Sequence, residues 1–246
     1  MVNHTEALSF GAAAAEYDRF RPRYPEAAVR WALEGAGSNA RVVDLGAGTG
    51  ILTRAVLGLG HEVTAVEPDP GMRAQLTVTT PEVDVLSGGA ESIPLPDAAA
   101  DAVVVGQAYH WFDREQAHPE IARVLRAGGT FAPIWNIRDD RLGWVTELGR
   151  IAHMGENANS LVESVTTFGP AFAEVEFGEF AHHTALTADE VVAMIHTRSY
   201  YLTADDRRQE AVDRELRELF ATHPDLAGRE TVDLPYRTLV FRARRR

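Results

Sequence analysis

The amino-acid sequence predicts an α/β fold in which helices cover both faces of a doubly wound sheet of seven strands. Short apolar runs alternate with segments of helical period between residues 41 and 135, which is typical of parallel strands joined by helices. The run at residues 102–105 contains only Ala and Val, so this strand is expected to be buried on both faces. A glycine-rich turn separates the first strand from the helix after it. We expect a mostly parallel sheet with an antiparallel last strand.

Breaks in the sequence bound each element. A helix over residues 5–18 is followed by two prolines three residues apart, and Pro25 then begins a helix that runs to Glu34. Thr187 and Glu190 form a capping box at the start of a later helix. The predicted strands are residues 41–45, 61–67, 83–86, 102–106, 130–135, 173–180 and 236–242. The further predicted helices are residues 51–59, 70–79, 114–126, 141–154, 187–201 and 205–222, and residues 155–170 are interpreted as a lid.

Composition excludes several classes of protein. The chain has 246 residues, within reach of one domain, and its formal charge of −12 would repel a nucleic acid. It has no Cys, which excludes disulfides, thiolate metal sites and cysteine nucleophiles. No apolar run reaches the ~20 residues that a membrane-spanning helix needs, and no leader peptide is evident. We therefore expect a cytoplasmic protein that binds neither nucleic acid nor membrane.

The glycine-rich turn and an acidic residue after the second strand predict a nucleoside-containing ligand. Residues 42–50 read VVDLGAGTG, so a strand runs through three glycines into a helix. Glycine lets the backbone approach a ligand closely, and the start of the helix offers free N–H groups. Glu67 ends the second strand, where a carboxylate can accept both hydroxyl protons of a ribose.

The spacing of the glycines bears on which nucleoside is bound. A dinucleotide fingerprint has the form Gly-x-Gly-x-x-Gly, whereas this chain has Gly-x-Gly-x-Gly, with Ile51 at the position of the third dinucleotide glycine. Asp44 lies just before the turn, where its charge would repel a pyrophosphate but suits a cationic amino-acid ligand. A nicotinamide-dependent oxidoreductase is therefore the alternative rather than the main interpretation.

These residues carry a family resemblance. Residues 44–50 (DLGAGTG) followed by 65–68 (AVEP) resemble the first two motifs of the class I S-adenosylmethionine-dependent methyltransferases, which have a Rossmann-like fold. Residues 89–95 (GAESIPL) resemble the adenine-side segment of that family, and residues 108–113 (AYHWFD) resemble the turn after its fourth strand. The pattern of Tyr17, Arg21-Pro22 and Tyr24-Pro25 is similar to small-molecule members such as the trans-aconitate methyltransferase-like group.

The resemblance implies a set of residues around the cofactor S-adenosylmethionine. Asp44 would lie near its ammonium group, Glu67 would hold its ribose hydroxyls, and Arg21 would lie near its carboxylate. The full set implied for cofactor binding is Tyr17, Arg21, Asp44, Gly46, Ala47, Gly48, Thr49, Glu67, Pro68, Met72, Ala90, Glu91, Gln107 and Ala108. Gly50 would complete the turn.

Methyl transfer needs a base only if the acceptor must lose a proton as it attacks. His110 is the candidate base, because it follows the buried fourth strand, where open α/β sheets bind ligands. Tyr109 is a second candidate, for contact with the acceptor. His182 and His183 are adjacent in a predicted strand, so they face opposite sides and do not form a metal site. The residues His153, His196, Trp135 and Trp144 are further candidates to line the acceptor side.

The sequence thus predicts one methyltransferase domain that acts on a small organic acceptor. Residues 1–36 would cover the site, residues 37–140 would hold the cofactor, and residues 141–246 would supply the acceptor side. A protein that binds S-adenosylmethionine without catalysis is an alternative to the enzyme. The sequence leaves open whether the protein is a monomer or a homodimer.

Overall fold

Seven strands form one sheet in the computed structural model, which describes residues 14–152 and 165–246. The strands are β1 Arg41–Leu45, β2 Glu62–Val66, β3 Asp84–Leu86, β4 Ala100–Gly106, β5 Leu125–Arg138, β6 Glu176–Leu186 and β7 Val232–Arg244. Their order is β3-β2-β1-β4-β5-β7-β6. Neighbours from β3 to β5 are parallel, whereas β7 is antiparallel to both β5 and β6. The predicted fold is confirmed.

Helices lie on both faces of this sheet. They are α1 Ala14–Phe20, α2 Glu26–Ala32, α3 Ile51–Leu57, α4 Pro70–Thr79, α5 Arg114–Val124, α6 Gly143–Ile151, α7 Ala188–His196, α8 Ser199–Leu202 and α9 Asp206–Thr222. Ala102 and Val104 of β4 pack in one apolar cluster with α2 and α3, and Val103 and Val105 pack in another with α5. Successive strand residues face opposite sides, so β4 is buried on both faces as predicted.

A third apolar cluster forms a helical roof, by which we mean α6, α7 and α9 together with the first residues of β7. α1 packs against α7, which joins the N-terminal segment to this roof. None of the described helices is long and apolar enough to cross a membrane. The roof is therefore a second layer of helices packed on the sheet's antiparallel end.

Several elements differ from their predicted bounds, among them β6, which runs over Glu176–Leu186 instead of residues 173–180, and β7, which runs over Val232–Arg244 instead of residues 236–242. β5 begins at Leu125, which pairs with Ala100, so α5 ends at Val124 instead of continuing to residue 126. β5 also extends to Arg138, because its second half pairs with β7. The helix expected over residues 187–201 is interrupted at Thr197 and resumes as α8. The capping box of Thr187 and Glu190 is present.

Only residues 165–170 of the segment interpreted as a lid belong to the described part of the chain, and they pack against the core. Residues 155–164, and also His153, lie outside the described residues. Of the remainder, Val165 and Phe168 are buried, and the ring of Phe168 lies 4.6 Å from that of Phe131 in the core. A segment anchored by buried aromatic rings cannot swing away without losing that burial. Of the helix predicted for residues 5–18, the first nine residues are likewise outside the described part, and α1 continues past Asp18 to Phe20.

Candidate functional site

The glycine turn follows β1 at the carboxyl edge of the parallel strands. Gly46, Gly48 and Gly50 all have positive φ, at 72°, 57° and 85°. A Cβ at position 46 would lie 2.7 Å from the Cβ of Ala108, so this turn also touches the end of β4. Glycine is required here both for the backbone conformation and for the close approach. Gly50 then begins α3, whose first N–H groups face the turn.

Glu67 links this turn to the end of β2. Its Oε2 accepts a hydrogen bond from the Gly48 N–H at 2.8 Å, and its Oε1 accepts one from the Asp69 N–H at 2.8 Å. Burial raises the pKa of Glu67, although the two backbone donors oppose that shift. Asp69 in turn caps α4 through the N–H groups of Gly71 and Met72. The carboxylate is thus held in one orientation, with lone pairs left for a ligand.

Asp44 is a fully buried carboxyl group beside the turn. Its Oδ2 accepts a hydrogen bond from the Thr53 hydroxyl at 2.6 Å, whereas its Oδ1 has no hydrogen-bond partner in the part of the chain that the structure describes. Burial raises the pKa of Asp44 to about 7, with a further increase from the charge of Glu67. A buried oxygen without a donor is costly, so this position favours a ligand that supplies one.

A cavity lies over the turn. All fourteen residues that the resemblance implied for the cofactor line it, from Tyr17 to Ala108. The sequence reasoning did not identify eight further residues that line the same cavity, namely Pro22, Tyr24, Ile51, Leu52, Gly89, Gly106, Trp111 and Phe112. Of these, the aromatic pair Trp111-Phe112 lies within the motif at residues 108–113 and could have been included on that ground.

The segment at residues 89–91 forms the end of the cavity near α4. Ala90 is buried, and Gly89 bridges to Ser92 in a tight turn. The Oε1 of Glu91 accepts the N–H of Asp113 at 2.9 Å, which ties this turn to the start of α5. Met72 is buried beside it. One oxygen of Glu91 therefore remains for contacts within the cavity.

The N-terminal segment covers the opposite end of the cavity. The guanidinium of Arg21 lies over the ring of Tyr17, at 4.3 Å from its centroid, and its Nη2 donates to the Thr197 carbonyl at 3.3 Å. Asp18 accepts the Thr49 hydroxyl at 2.9 Å and forms an ion pair with Arg54. These contacts fasten the cover to the glycine turn on one side and to the roof on the other.

Gln107 closes the remaining side at the end of β4. Its φ of 59° is unusual for a residue other than glycine, and its Nε2 donates to the Asn136 carbonyl at 2.9 Å. The Asn136 side chain donates in turn to the carbonyl of Arg23 at 3.2 Å. Strained backbone of this kind is common at ligand sites and persists only where neighbouring contacts hold it.

Neither candidate catalytic residue lines the cavity. Tyr109 is fully buried in the core, where its hydroxyl hydrogen-bonds the Nε2 of His118 at 2.8 Å and its ring packs on Trp135. Burial raises the pKa of Tyr109 to about 12. The expectation that Tyr109 contacts an acceptor is therefore not met, because the short 3-10 turn at Tyr109–Trp111 directs its ring into the core.

His110 is exposed, and its ring lies 4.7 Å from that of Trp111, which does line the cavity. His110 therefore lies beside the cavity and is not part of its wall. Trp135 and Trp144 are buried in separate apolar clusters, and His196 hydrogen-bonds Asp213 at 2.8 Å. None of these three lines the cavity.

No group of three or more His, Asp or Glu residues able to hold a metal ion occurs among the described residues. His182 and His183 lie in β6, as predicted. The Nδ1 of His182 is 3.2 Å from the Thr238 hydroxyl, whereas His183 is exposed near Asp233. The two rings thus face opposite sides of the strand.

Comparisons with known proteins agree with this geometry. A family model described as a methyltransferase domain matches residues 43–132, which span the glycine turn, Glu67 and β4. An uncharacterised methyltransferase of Mycobacterium tuberculosis is 44% identical over 238 residues, covering 96% of each chain. A methyltransferase-like protein of Schizosaccharomyces pombe is 30% identical over 248 residues, covering 98% of this chain and 97% of its own.

A solved structure, described as a type II methyltransferase from Anaeromyxobacter dehalogenans, superposes with a TM-score of 0.65 at 26% identity. The match covers 92% of this chain and 98% of that one. The chain belongs to the class I S-adenosylmethionine-dependent methyltransferases, and S-adenosylmethionine is its cofactor. This membership decides against the nicotinamide-dependent oxidoreductase.

Proposed function

Proceeding from that family membership, we propose that this enzyme methylates an oxygen, nitrogen or carbon atom of a small organic molecule, as do the trans-aconitate methyltransferase-like enzymes that its N-terminal motif resembles. The observation that carries the proposal is the cover over the cavity, where Tyr17, Arg21, Pro22 and Tyr24 form one wall. This cover is fastened to both the glycine turn and β5, and it bounds a concave space over the turn. Such a space suits a small acceptor better than the surface of a macromolecule.

The residues of the cavity fit the cofactor. The unpartnered Oδ1 of Asp44 suits a cationic ammonium group, which would supply the missing donor. The fixed carboxylate of Glu67 suits a pair of ribose hydroxyls. The close approach at Gly46 leaves backbone, rather than side chain, against the ligand. These three features support the following roles.

We assign each end of the cavity to one part of the cofactor. Glu67 holds the ribose, Asp44 the ammonium group and Arg21, beside Tyr17, the carboxylate. Pro68 and Met72 flank the adenine, while the Ala90 N–H and the Glu91 side chain contact its edge. The glycine turn, including Ala47 and Thr49, follows the methionine and ribose, and Gln107 with Ala108 closes the side where the methyl group leaves. Residues 1–36, 37–140 and 141–246 act as cover, cofactor-binding core and acceptor side of one domain.

The chemistry requires position more than acid or base. When bound, S-adenosylmethionine supplies an electrophilic methyl group whose leaving group is a neutral sulfur. Holding an acceptor in line with that carbon therefore accounts for much of the acceleration. Among the described residues that line the cavity there is no His, and its carboxylates Asp44, Glu67 and Glu91 are all assigned to the cofactor. An acceptor that reacts in its deprotonated form fits this site without a general base.

The test is a transfer assay on the two halves of a cell extract. Purified protein is incubated with S-adenosylmethionine carrying a labelled methyl group, together with either the small-molecule fraction or the macromolecular fraction. We expect label in the small-molecule fraction, and none when Glu67→Ala replaces the wild type. Transfer only to protein or nucleic acid would contradict the proposal, while retaining the methyltransferase activity of the family.

A further inference from the structure

Gly106, the last residue of β4, lacks a side chain for a reason other than backbone conformation. Its φ is not positive, unlike the φ of each of the three glycines in the turn. A Cβ built at position 106 would lie 2.6 Å from the hydroxyl oxygen of Tyr24 and 3.2 Å from the Cδ2 of Leu52. The place that a side chain of this strand would fill is therefore taken by the hydroxyl of Tyr24, a residue of the N-terminal cover.

The segment that carries Tyr24 is held against the sheet. Pro22, two residues earlier, is buried and restricts the backbone. The Asn136 side chain of β5 donates to the carbonyl of Pro22 at 3.4 Å and to that of Arg23 at 3.2 Å. The Tyr24 ring packs with Leu52 in the apolar cluster of α2 and α3. These contacts fix the hydroxyl at the edge of β4.

The Tyr24 hydroxyl has a capacity for hydrogen bonding that the described part of the chain does not use. It forms no hydrogen bond with the described residues, and Tyr24 lines the cavity together with Gly106 and Leu52. Burial raises the pKa of Tyr24 well above its ordinary value, so the hydroxyl stays neutral and can both donate and accept. A desolvated hydroxyl without a partner is costly, which favours a ligand that supplies one.

The position of this hydroxyl relates it to one end of the cofactor. Val104 of β4 pairs with Asp44 of β1, and Gly106 lies two residues further along β4, at the cavity. Asp44 is the residue assigned to the ammonium group. Arg21, which is assigned to the carboxylate, precedes Tyr24 by three residues and lines the same wall. The Tyr24 hydroxyl therefore belongs to the part of the cavity wall that carries both groups assigned to the amino acid.

From these contacts we infer that the Tyr24 hydroxyl hydrogen-bonds the amino-acid part of S-adenosylmethionine, and that Gly106 is the residue that leaves room for it. The inference rests on the proposed function, specifically on the roles given there to Asp44 and Arg21. The hydroxyl can donate to the carboxylate or accept from the ammonium group, and a charged partner strengthens either bond. A nucleoside without the amino acid offers neither partner. The N-terminal cover thus recognises the cofactor as well as bounding its cavity.

The experiment compares two ligands that differ in the amino acid. S-adenosylhomocysteine and 5′-methylthioadenosine are titrated by calorimetry into the wild type and Tyr24→Phe, which keeps the ring and removes only the hydroxyl. We expect S-adenosylhomocysteine to bind about fivefold more weakly to the variant, and 5′-methylthioadenosine to stay within about twofold. Tyr201→Phe is the matched control and should change neither affinity, because its hydroxyl donates to Asp213 at 3.2 Å, outside the cavity.

Two results would overturn the inference. Equal losses for both ligands in Tyr24→Phe would show that the hydroxyl supports the shape of the cavity and does not recognise the amino acid. Unchanged binding of both ligands would show that the hydroxyl does not contact the cofactor. A failure of the proposed function is distinguishable, because methyl transfer only to macromolecules would leave these binding measurements intact.

A double-mutant cycle tests the contact between Tyr24 and Gly106 in the absence of ligand. Gly106→Ala places a Cβ 2.6 Å from the hydroxyl oxygen, so it should lower the midpoint of thermal unfolding. In the Tyr24→Phe background this oxygen is absent, and the same substitution should lower the midpoint by less. The contact of the new Cβ with Leu52, at 3.2 Å, is common to both backgrounds. Equal decreases in the two backgrounds would show that the hydroxyl does not lie at Gly106, and would overturn the inference.

Discussion

Two regions around the cavity are built in different ways. On the glycine-turn side, Asp44 accepts a hydrogen bond from Thr53, and Glu67 accepts two from the backbone at Gly48 and Asp69. At the junction of the N-terminal cover, the end of β5 and the roof lie Arg21, Arg138 and Arg198, which we call the arginine cluster and which come from three distant segments of the chain. The first region is built from residues 44–69, whereas the second brings together residues that are far apart in the sequence. The glycine-turn side therefore depends on local sequence, and the arginine cluster depends on the tertiary fold.

The largest effect is expected from removing the fixed carboxylate. Glu67→Ala should weaken the binding of S-adenosylhomocysteine by about 100-fold, since two charge-assisted hydrogen bonds of ~1.5 kcal/mol each are lost. Calorimetric titration measures this directly. Glu62→Ala, an exposed residue at the start of the same strand, is the control and should bind normally. An affinity within a factor of about three of wild type would remove Glu67 from the ribose site.

The second effect tests Asp44 through pH. Its pKa is raised to about 7 by burial, so the group holds a proton that an ammonium ligand must displace. The affinity for S-adenosylhomocysteine should therefore increase with pH up to about 7, by at most about tenfold per unit, and then level off. The raised pKa of Glu67 acts in the same direction. Asp44→Asn separates the contributions of the two carboxyl groups, because in this variant only Glu67 can make the affinity for S-adenosylhomocysteine depend on pH.

The same shift predicts how the ligand-free protein responds to pH. The folded state keeps a proton on Asp44 that the unfolded chain loses near its ordinary pKa, so stability should fall as pH rises from about 4 to about 7. Urea unfolding at several pH values measures the slope. If wild type and Asp44→Asn gave the same slope, the buried carboxyl would not have the pKa that its environment indicates.

A smaller effect separates Arg21 from the rest of the arginine cluster. Arg21→Met should weaken S-adenosylhomocysteine about fivefold but leave 5′-methylthioadenosine, which lacks the amino-acid carboxylate, unchanged. Arg19→Met is the matched control, because Arg19 is exposed and lies over Phe20. Equal losses for both ligands would show that Arg21 shapes the cover rather than binding the carboxylate.

The smallest effect is expected at His110. A general base contributes about 10²–10⁴-fold to a rate, whereas the exposed His110 lies beside the cavity and not in its wall. His110→Ala should therefore change turnover by less than about threefold. Turnover is measured at several pH values, with the acceptor that the transfer assay identifies. A turnover of His110→Ala that is two orders of magnitude below that of the wild type would identify His110 as the base.

The features that could be predicted from the sequence are those built from local patterns, and the features that could not be predicted depend on distant segments. The glycine turn, Glu67 and α4 are patterns within residues 44–79, in two successive strand-turn-helix units that the hydrogen bond from Gly48 to Glu67 joins. The structure has α4 at the predicted residues 70–79. The cavity wall at residues 107–108 is also local. By contrast, β5 was predicted too short, because its extension to Arg138 depends on pairing with β7 about a hundred residues later.

The arginine cluster had no signal of this kind. No spacing relates Arg21, Arg138 and Arg198, and each alone resembles any other arginine in a chain that has no lysine. The sequence could not place Tyr109 and His110 relative to the cavity, for a different reason. A sequence motif shows that a turn follows β4 but not which side chain the 3-10 geometry directs to the core. The position of Arg138 is the exception that the sequence could have indicated, because this residue follows the end of the predicted fifth strand by three residues.

The position of β7 has a consequence for how the chain folds during synthesis. β7 is the last of the seven strands along the chain, yet it lies between β5 and β6 and pairs with both. During synthesis on a ribosome, β6 emerges before β7, the strand with which it pairs. Its backbone N–H and C=O groups therefore have no partner strand until β7 has been translated. Non-local pairing of this type is slow and leaves an aggregation-prone edge exposed meanwhile. The nascent chain can assemble β1 to β5 early, but the roof acquires its place only after translation has passed residue 244.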